Sequence, residues 1–220
     1  MFGNQNFAAK LANNKGMIAA VFAVAIGGIC LAKSASAAEQ TVGRQAYVSV
    51  GENTRAPIGW KQFCRDHADE CNVSPAQAVD VQLTKSAYKE MERINRHVND
   101  HVKPMTDLDH FGVIEKWSYP EDGYGDCEDY VLEKRRRLVE AGWPRAALLI
   151  TVVRDKKGDG HAVLTVRTDK GEYVLDNQED EILPWSETGY RFVKRQSQTD
   201  VNVWVSLGDN RPTNYVAGTK

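Results

Sequence analysis

Gly125-Asp126-Cys127-Glu128-Asp129-Tyr130 places a single cysteine at the start of a helix. The helix runs from Cys127 to about Ala141, where Gly142 and then Pro144 stop it. At roughly 100° per residue, Cys127, Val131 and Leu138 share one face. Lys134 falls on that face too and is expected to snorkel to the edge. A thiol at a helix start meets unpaired N–H groups and the positive end of the dipole, both of which favour a thiolate. The Cys127 backbone N–H is also a candidate oxyanion-hole donor. The flanking acids Asp126, Glu128 and Asp129 act against a thiolate unless something neutralises them.

Downstream, the hydrophobic pattern changes to that of strands. Residues 147–153 form a continuous apolar run, as in a central strand. Residues 161–168 and 172–176 follow, joined by the turn Asp169-Lys170-Gly171. Two more strand-like runs cover residues 190–194 and 201–207. If Asp169-Lys170 is the two-residue turn, Thr168 faces Gly171 and Val163 faces Asp176. His161 shares a face with Val163, so Asp176 lies diagonal to it, at roughly 7–8 Å between Cβ atoms. The histidine can then serve as general base and acid, with the aspartate fixing its tautomer. Asp176-Asn177 also has the chemistry of a plain turn closing the strand. His67, His97, His101 and His110 lie in polar helix or loop contexts.

Upstream of the cysteine, residues 103–125 are rich in Pro, Gly, Asp and aromatics and read as a long ordered loop. Thr84 caps a helix over residues 85–102, whose stripe Ala87, Met91, Ile94 and Val98 suits core packing. Ser74-Pro75 has the form of a shorter helix start. Helices first and then an antiparallel sheet make an α+β layout.

The chain has 220 residues. Its first 37 look like an export signal: Lys10 and Lys15, a 16-residue apolar run from Met17 to Ala32, and Ala35-Ser36-Ala37 as cleavage site. An uncleaved anchor is the other reading, although the run is short for a span of about 20 residues. Residues 38–58 read as an N-terminal arm, 59–207 as one domain and 208–220 as a polar tail. Without the signal's three lysines, 25 basic residues stand against 30 acidic ones, a net charge of −5. That balance argues against nucleic acid as a partner. No second long apolar run exists, so no membrane span is expected in the mature chain.

Cys30 leaves with the signal, and Cys64, Cys71 and Cys127 remain. In an exported chain Cys64 and Cys71, close together in a polar loop, are expected to form a disulfide. Cys127 is then a free thiol, either a nucleophile or a small buried hydrophobe. The three acids around it are either ordinary N-terminal helix bias or ligands for Ca²⁺, which takes hard oxygen donors. Zinc fits poorly, and no phosphate loop or dinucleotide fingerprint is present.

From about residue 85 to 207 the chain resembles the bacterial transglutaminase-like cysteine proteinases. The resemblance lies in Trp117-Ser118-Tyr119-Pro120, Gly125-Asp126-Cys127-Glu128-Asp129-Tyr130, Gly160-His161-Ala162-Val163-Leu164 and Val174-Leu175-Asp176-Asn177. It implies a papain-like, transglutaminase-like fold with N-terminal helices packed on an antiparallel sheet. Cys127 would be the nucleophile, His161 the base and Asp176 the orienter. Ca²⁺ would bind through Asp126 and Glu128, with Asp129 a weaker candidate. By likeness to the family's adhesin-cleaving members, the resemblance also implies action in the periplasm on a large surface protein, a step in biofilm release, under an inner-membrane receptor that responds to cyclic di-GMP. The segment Pro57-Ile58-Gly59-Trp60 with Cys64 and Cys71 looks more like the alphaproteobacterial branch, which leaves substrate and receptor open. A calcium-dependent periplasmic endopeptidase acting on a cell-envelope protein is therefore the expectation. Acyl transfer to an amine with the same residues and a non-catalytic binding module are the alternatives.

Overall fold

The structure is a computed structural model that describes residues 46–208. The signal expected over residues 1–37, the first part of the arm and the tail from residue 209 lie outside the described residues. No described helix is long and apolar enough to cross a membrane.

Among the described residues, nine strands and five α-helices make an α+β fold. In chain order they are β1 (Ser49–Thr54), α1 (Ile58–Asp66), α2 (Ala68–Cys71), α3 (Lys85–His101), β2 (Lys103–Pro104), α4 (Asp107–Phe111), β3 (Tyr124–Gly125), α5 (Cys127–Glu140), β4 (Leu148–Arg154), β5 (Gly160–Thr168), β6 (Gly171–Leu175), β7 (Leu183–Pro184), β8 (Arg191–Gln196) and β9 (Trp204–Gly208). Seven strands form one antiparallel sheet in the order β1-β9-β8-β4-β5-β6-β7.

Thr84 caps α3 by accepting a hydrogen bond from the Ala87 amide at 3.1 Å. The Met91, Ile94 and Val98 stripe is buried. The end of α5 follows from Gly142, whose φ of +92° suits a residue without Cβ. Trp143 N–H donates to the Leu138 carbonyl and Gly142 N–H to that of Val139, which closes the last turn. Helix α5 packs on β5, and α3 packs on α5.

The main core lies between helices and sheet and includes Trp60, Phe63, Met91, Val131, Leu138, Ile150, Leu164 and Trp204. A smaller cluster, with Val48, Val153, Val163, Val174, Tyr190 and Phe192, covers the other face. Cys64 and Cys71 are disulfide-bonded, and Cys127 is the free cysteine among the described residues.

Three local expectations change. The described end of the residue 38–58 arm is structured: Tyr47 Oη donates to the Thr168 carbonyl, the Val48 amide bonds Glu172, and β1 pairs with β9. No helix follows Ser74-Pro75. That stretch is instead tied to the sheet, with Ala76 N–H donating to the Thr199 carbonyl and Val81 N–H to that of Arg167. The loop over residues 103–125 closes on itself, because β2 and β3 pair in parallel and hold its two ends together.

Candidate active site

Two structural supports bring the candidate residues to one end of the sheet. The first is the β5–β6 hairpin. Its register sets Thr168 against Gly171 and Leu164 against Leu175, so that, one step further, Val163 faces Asp176. His161 Nε2 lies 2.8 Å from Asp176 Oδ1, and both residues are buried. The second support is the β2–β3 pair. Met105 N–H donates to the Gly125 carbonyl and fixes the chain just before Cys127. A cleft of about 470 Å³ opens between them, lined among others by Met105, Thr106, Asp126, Cys127, His161 and Gln178.

Asp176 is held by three donors. Oδ1 faces His161 Nε2 and accepts from the Gln178 amide at 3.0 Å, and Oδ2 accepts from Tyr190 Oη at 2.6 Å. Burial alone would raise its pKa, but the bond to His161, the imidazole's charge and the Tyr190 and Gln178 donors outweigh it and hold it below the usual carboxylate value. With Asp176 ionised, Nε2 carries the imidazole proton and Nδ1 is the basic nitrogen. The Gln178 side-chain Nε2 lies 3.4 Å from Nδ1.

The thiol is half-buried at the first turn of α5. Cys127 Sγ donates to Glu128 Oε2 at 3.1 Å, and among the described residues no hydrogen bond joins it to His161. Burial, followed by the Glu128 carboxylate beside it, pushes the thiol well above its ordinary pKa; Asp126 adds to this and the Ala162 amide opposes it. Cys127 and His161 thus share the cleft without being directly bonded.

The acids form a second feature behind the thiol. Carboxylate oxygens of Asp107, Asp126 and Asp129 lie within 4.8 Å of one another, and Asp126, Cys127 and Glu128 form an overlapping group. Asp129 accepts from the Ser118 amide at 2.7 Å, Asp126 from the Asp107 amide at 3.3 Å and Asp107 from the Lys116 amide. Burial and repulsion from Asp126 raise Glu128 well above the carboxylate range. Burial raises Asp129 to about 7, with Asp126 and Asp107 adding repulsion against the Ser118 amide. Among the described residues, Oδ1 of Asp107 and Oδ1 of Asp126 are buried without a hydrogen-bond partner. Oxygen donors so arranged, with two orphaned atoms, fit a hard divalent cation such as Ca²⁺.

Asp107, Gln178 and Tyr190 were not singled out by the sequence. Asp107 stands at the start of α4 behind the cap Thr106, inside a stretch without periodicity. Gln178 follows the Asp176-Asn177 turn directly. Tyr190 precedes β8, a strand not adjacent to the hairpin, and no local pattern links it to Asp176.

Solved structures similar to the chain include three of LapG. The calcium-bound LapG of Legionella pneumophila is 25% identical with a TM-score of 0.48, covering 57% of this chain and 71% of that one. A second LapG structure from that organism is 26% identical with a TM-score of 0.45, covering 54% and 68%. Its EGTA-treated form is 25% identical with a TM-score of 0.47, covering 59% and 75%. No curated protein matches the chain. The model of the bacterial transglutaminase-like cysteine proteinases matches residues 50–212, well over half of the chain. With a lone thiol opening a helix beside an imidazole–carboxylate pair, and a family match that spans both, the chain belongs to the bacterial transglutaminase-like cysteine proteinases.

Proposed function

We propose that this protein is a periplasmic cysteine endopeptidase that cleaves a cell-envelope or surface protein with Cys127, His161 and Asp176. The observation that carries the reading is the shared cleft: Cys127 and His161 both line it, and His161 is bonded through Nε2 to a buried carboxylate. Residues 1–37 act as its export signal, and an inner-membrane receptor is a candidate regulator.

The reaction follows from the side chains. His161 Nδ1 takes the thiol proton as Cys127 Sγ adds to the scissile carbonyl carbon. The Cys127 backbone N–H, at the first position of α5, stabilises the oxyanion. The imidazolium passes its proton to the leaving amine as the C–N bond breaks, which leaves a thioester. His161 then removes a proton from water, the water adds to the thioester, and the thiol is regenerated with release of the new carboxyl terminus. Asp176 keeps the Nε2 proton in place throughout and is not itself protonated.

Asp126, Glu128 and Asp129, joined by Asp107, are the residues that would hold Ca²⁺. Bound there, the ion supplies positive charge that neutralises the carboxylates opposing thiolate formation.

The test uses purified protein and envelope proteins from the source cell. Wild type is expected to release a discrete fragment, and Cys127→Ala to release none. Cleavage that persists in Cys127→Ala would overturn the assignment. An added primary amine separates hydrolysis from transfer, because transfer attaches the amine without cutting the chain. A non-catalytic module is distinguished by alkylation, since its Cys127 would react with iodoacetamide at pH 6 no faster than an ordinary thiol.

A further inference from the structure

We propose that Tyr190 is a positioning residue of this site, holding the Asp176 carboxylate by its phenol so that Asp176 presents His161 Nδ1 to the cleft. The inference rests on the Cys127–His161–Asp176 reading and adds a residue to it.

A carboxylate bound through one oxygen can rotate about its Cβ–Cγ bond. Here Oδ1 serves His161 and the Gln178 amide, and Oδ2 accepts from Tyr190 Oη at 2.6 Å. Both oxygens are engaged, and the plane of the carboxylate is fixed. Tyr190 also stands edge-on to the imidazole, with ring centroids 5.7 Å apart at 83°. One side chain therefore meets both the base and its orienter.

The phenol is itself anchored. Tyr190 is 4% exposed and packs with Val153, Val174 and Phe192. Its backbone N–H donates to Thr188 Oγ1 at 3.2 Å, and that hydroxyl donates to the Trp185 carbonyl at 2.9 Å. Burial and the adjacent Asp176 charge push the phenol's pKa up, so it remains a neutral donor wherever Asp176 is ionised. A neutral donor suits this task. It satisfies the second oxygen without cancelling the charge that the imidazolium needs.

The other explanation is packing alone, with the hydroxyl placed only to satisfy a buried polar atom. Tyr190→Phe separates the two, because it keeps the ring and removes the bond to Oδ2. Two readouts are needed that packing would not move. The first is the titration of the His161 ring, followed by NMR in the full chain carrying Cys127→Ala. The second is the rate of Cys127 alkylation by iodoacetamide at pH 6 in the chain that retains the thiol.

Without the phenol the carboxylate is free to turn, its bond to Nε2 weakens and the imidazolium loses support, so the His161 titration is expected to move down by about half a unit. Alkylation is expected to fall about tenfold, the scale of one hydrogen bond to a charged group. Both are read well below the melting midpoint, so a less stable variant is still measured folded. Unmoved titration together with a wild-type alkylation rate would overturn the proposal. His161→Ala and Asp176→Asn run beside it. If these also leave alkylation unchanged, the triad reading fails. If they slow it while Tyr190→Phe matches wild type in both readouts, only the Tyr190 role fails.

Discussion

Lys134 shows what a single buried charge does to this molecule. Helical spacing puts it on the α5 face that carries Cys127, Val131 and Leu138, where a lysine should snorkel. Instead it is fully buried, and its Nζ has no hydrogen-bond partner among the described residues. The ammonium lies 5.7 Å from the Tyr130 ring centroid. Burial pulls its pKa down to about 7, and Asp176 and Asp180 partly hold it up. An unfolded lysine titrates near pH 10.4. Between these two values the unfolded chain binds a proton that the folded chain has released, so stability rises with pH across that window. Below pH 7 the desolvation cost applies in full. Lys134→Met is therefore expected to stabilise the protein at pH 6, by about 1–4 kcal/mol if it behaves as other replacements of buried ions do. It should also flatten the rise in melting temperature between pH 7 and 10. Thermal melts across that range check this, and a variant less stable than wild type at pH 6 would show that the ammonium has a favourable partner.

At the scale of elements, the start of α5 depends on Gly125. A Cβ built there would lie 2.7 Å from Asp129 Cβ and 2.7 Å from Asp129 Oδ2. Asp129 cannot move freely, because its other oxygen accepts from the Ser118 amide at 2.7 Å. Gly125→Ala is therefore expected to cost about 1–3 kcal/mol, as overpacking does, and to weaken the calcium response. Melts with and without Ca²⁺ test this, and an unchanged pair of midpoints would count against it. The elements differ in how legible they were. Helices α3 and α5 and the β5–β6 hairpin carry their own instructions in caps, apolar stripes and a two-residue turn. The register that joins His161 to Asp176 therefore follows from the sequence. Strand β1 does not, since all six of its residues are exposed and only its pairing with β9 makes it a strand. The segment after Ser74-Pro75 has a helix-start pattern that loses to hydrogen bonds from the sheet. Asp107 and Tyr190 were missed for the same physical reason: each is defined by a partner in another element.

At the scale of the whole molecule, the cleft lies where the helical layer meets the end of the sheet, and the acids occupy that junction. Asp107 comes from α4, Asp126 caps α5, and Glu128 and Asp129 sit in its first turn. Burial and mutual repulsion raise both Glu128 and Asp129 above their unfolded values. The sign follows directly. Between the ordinary value of 3.8 and about 7 the folded chain holds a proton on Asp129 that the unfolded chain has lost. Without a cation, this group therefore lowers stability as pH rises through that window, and Glu128 does the same over a range that starts from its own ordinary value. A bound Ca²⁺ would remove the effect, since it favours the ionised carboxylates. An ion that binds the native state in preference to the unfolded one would also raise the melting temperature by mass action. The expected outcome is a calcium-induced rise in midpoint that grows from pH 5 to pH 8, because protons compete with the ion at the lower pH. Other acids, such as Asp176, whose pKa is lowered by its partners, impose the opposite trend, but they cancel in the difference between loaded and chelated protein. In Asp126→Asn with Glu128→Gln the difference should vanish at every pH. A wild-type midpoint unmoved by Ca²⁺ or by chelator at pH 8 would reject the site and leave the raised thiol of Cys127 without its counter-charge.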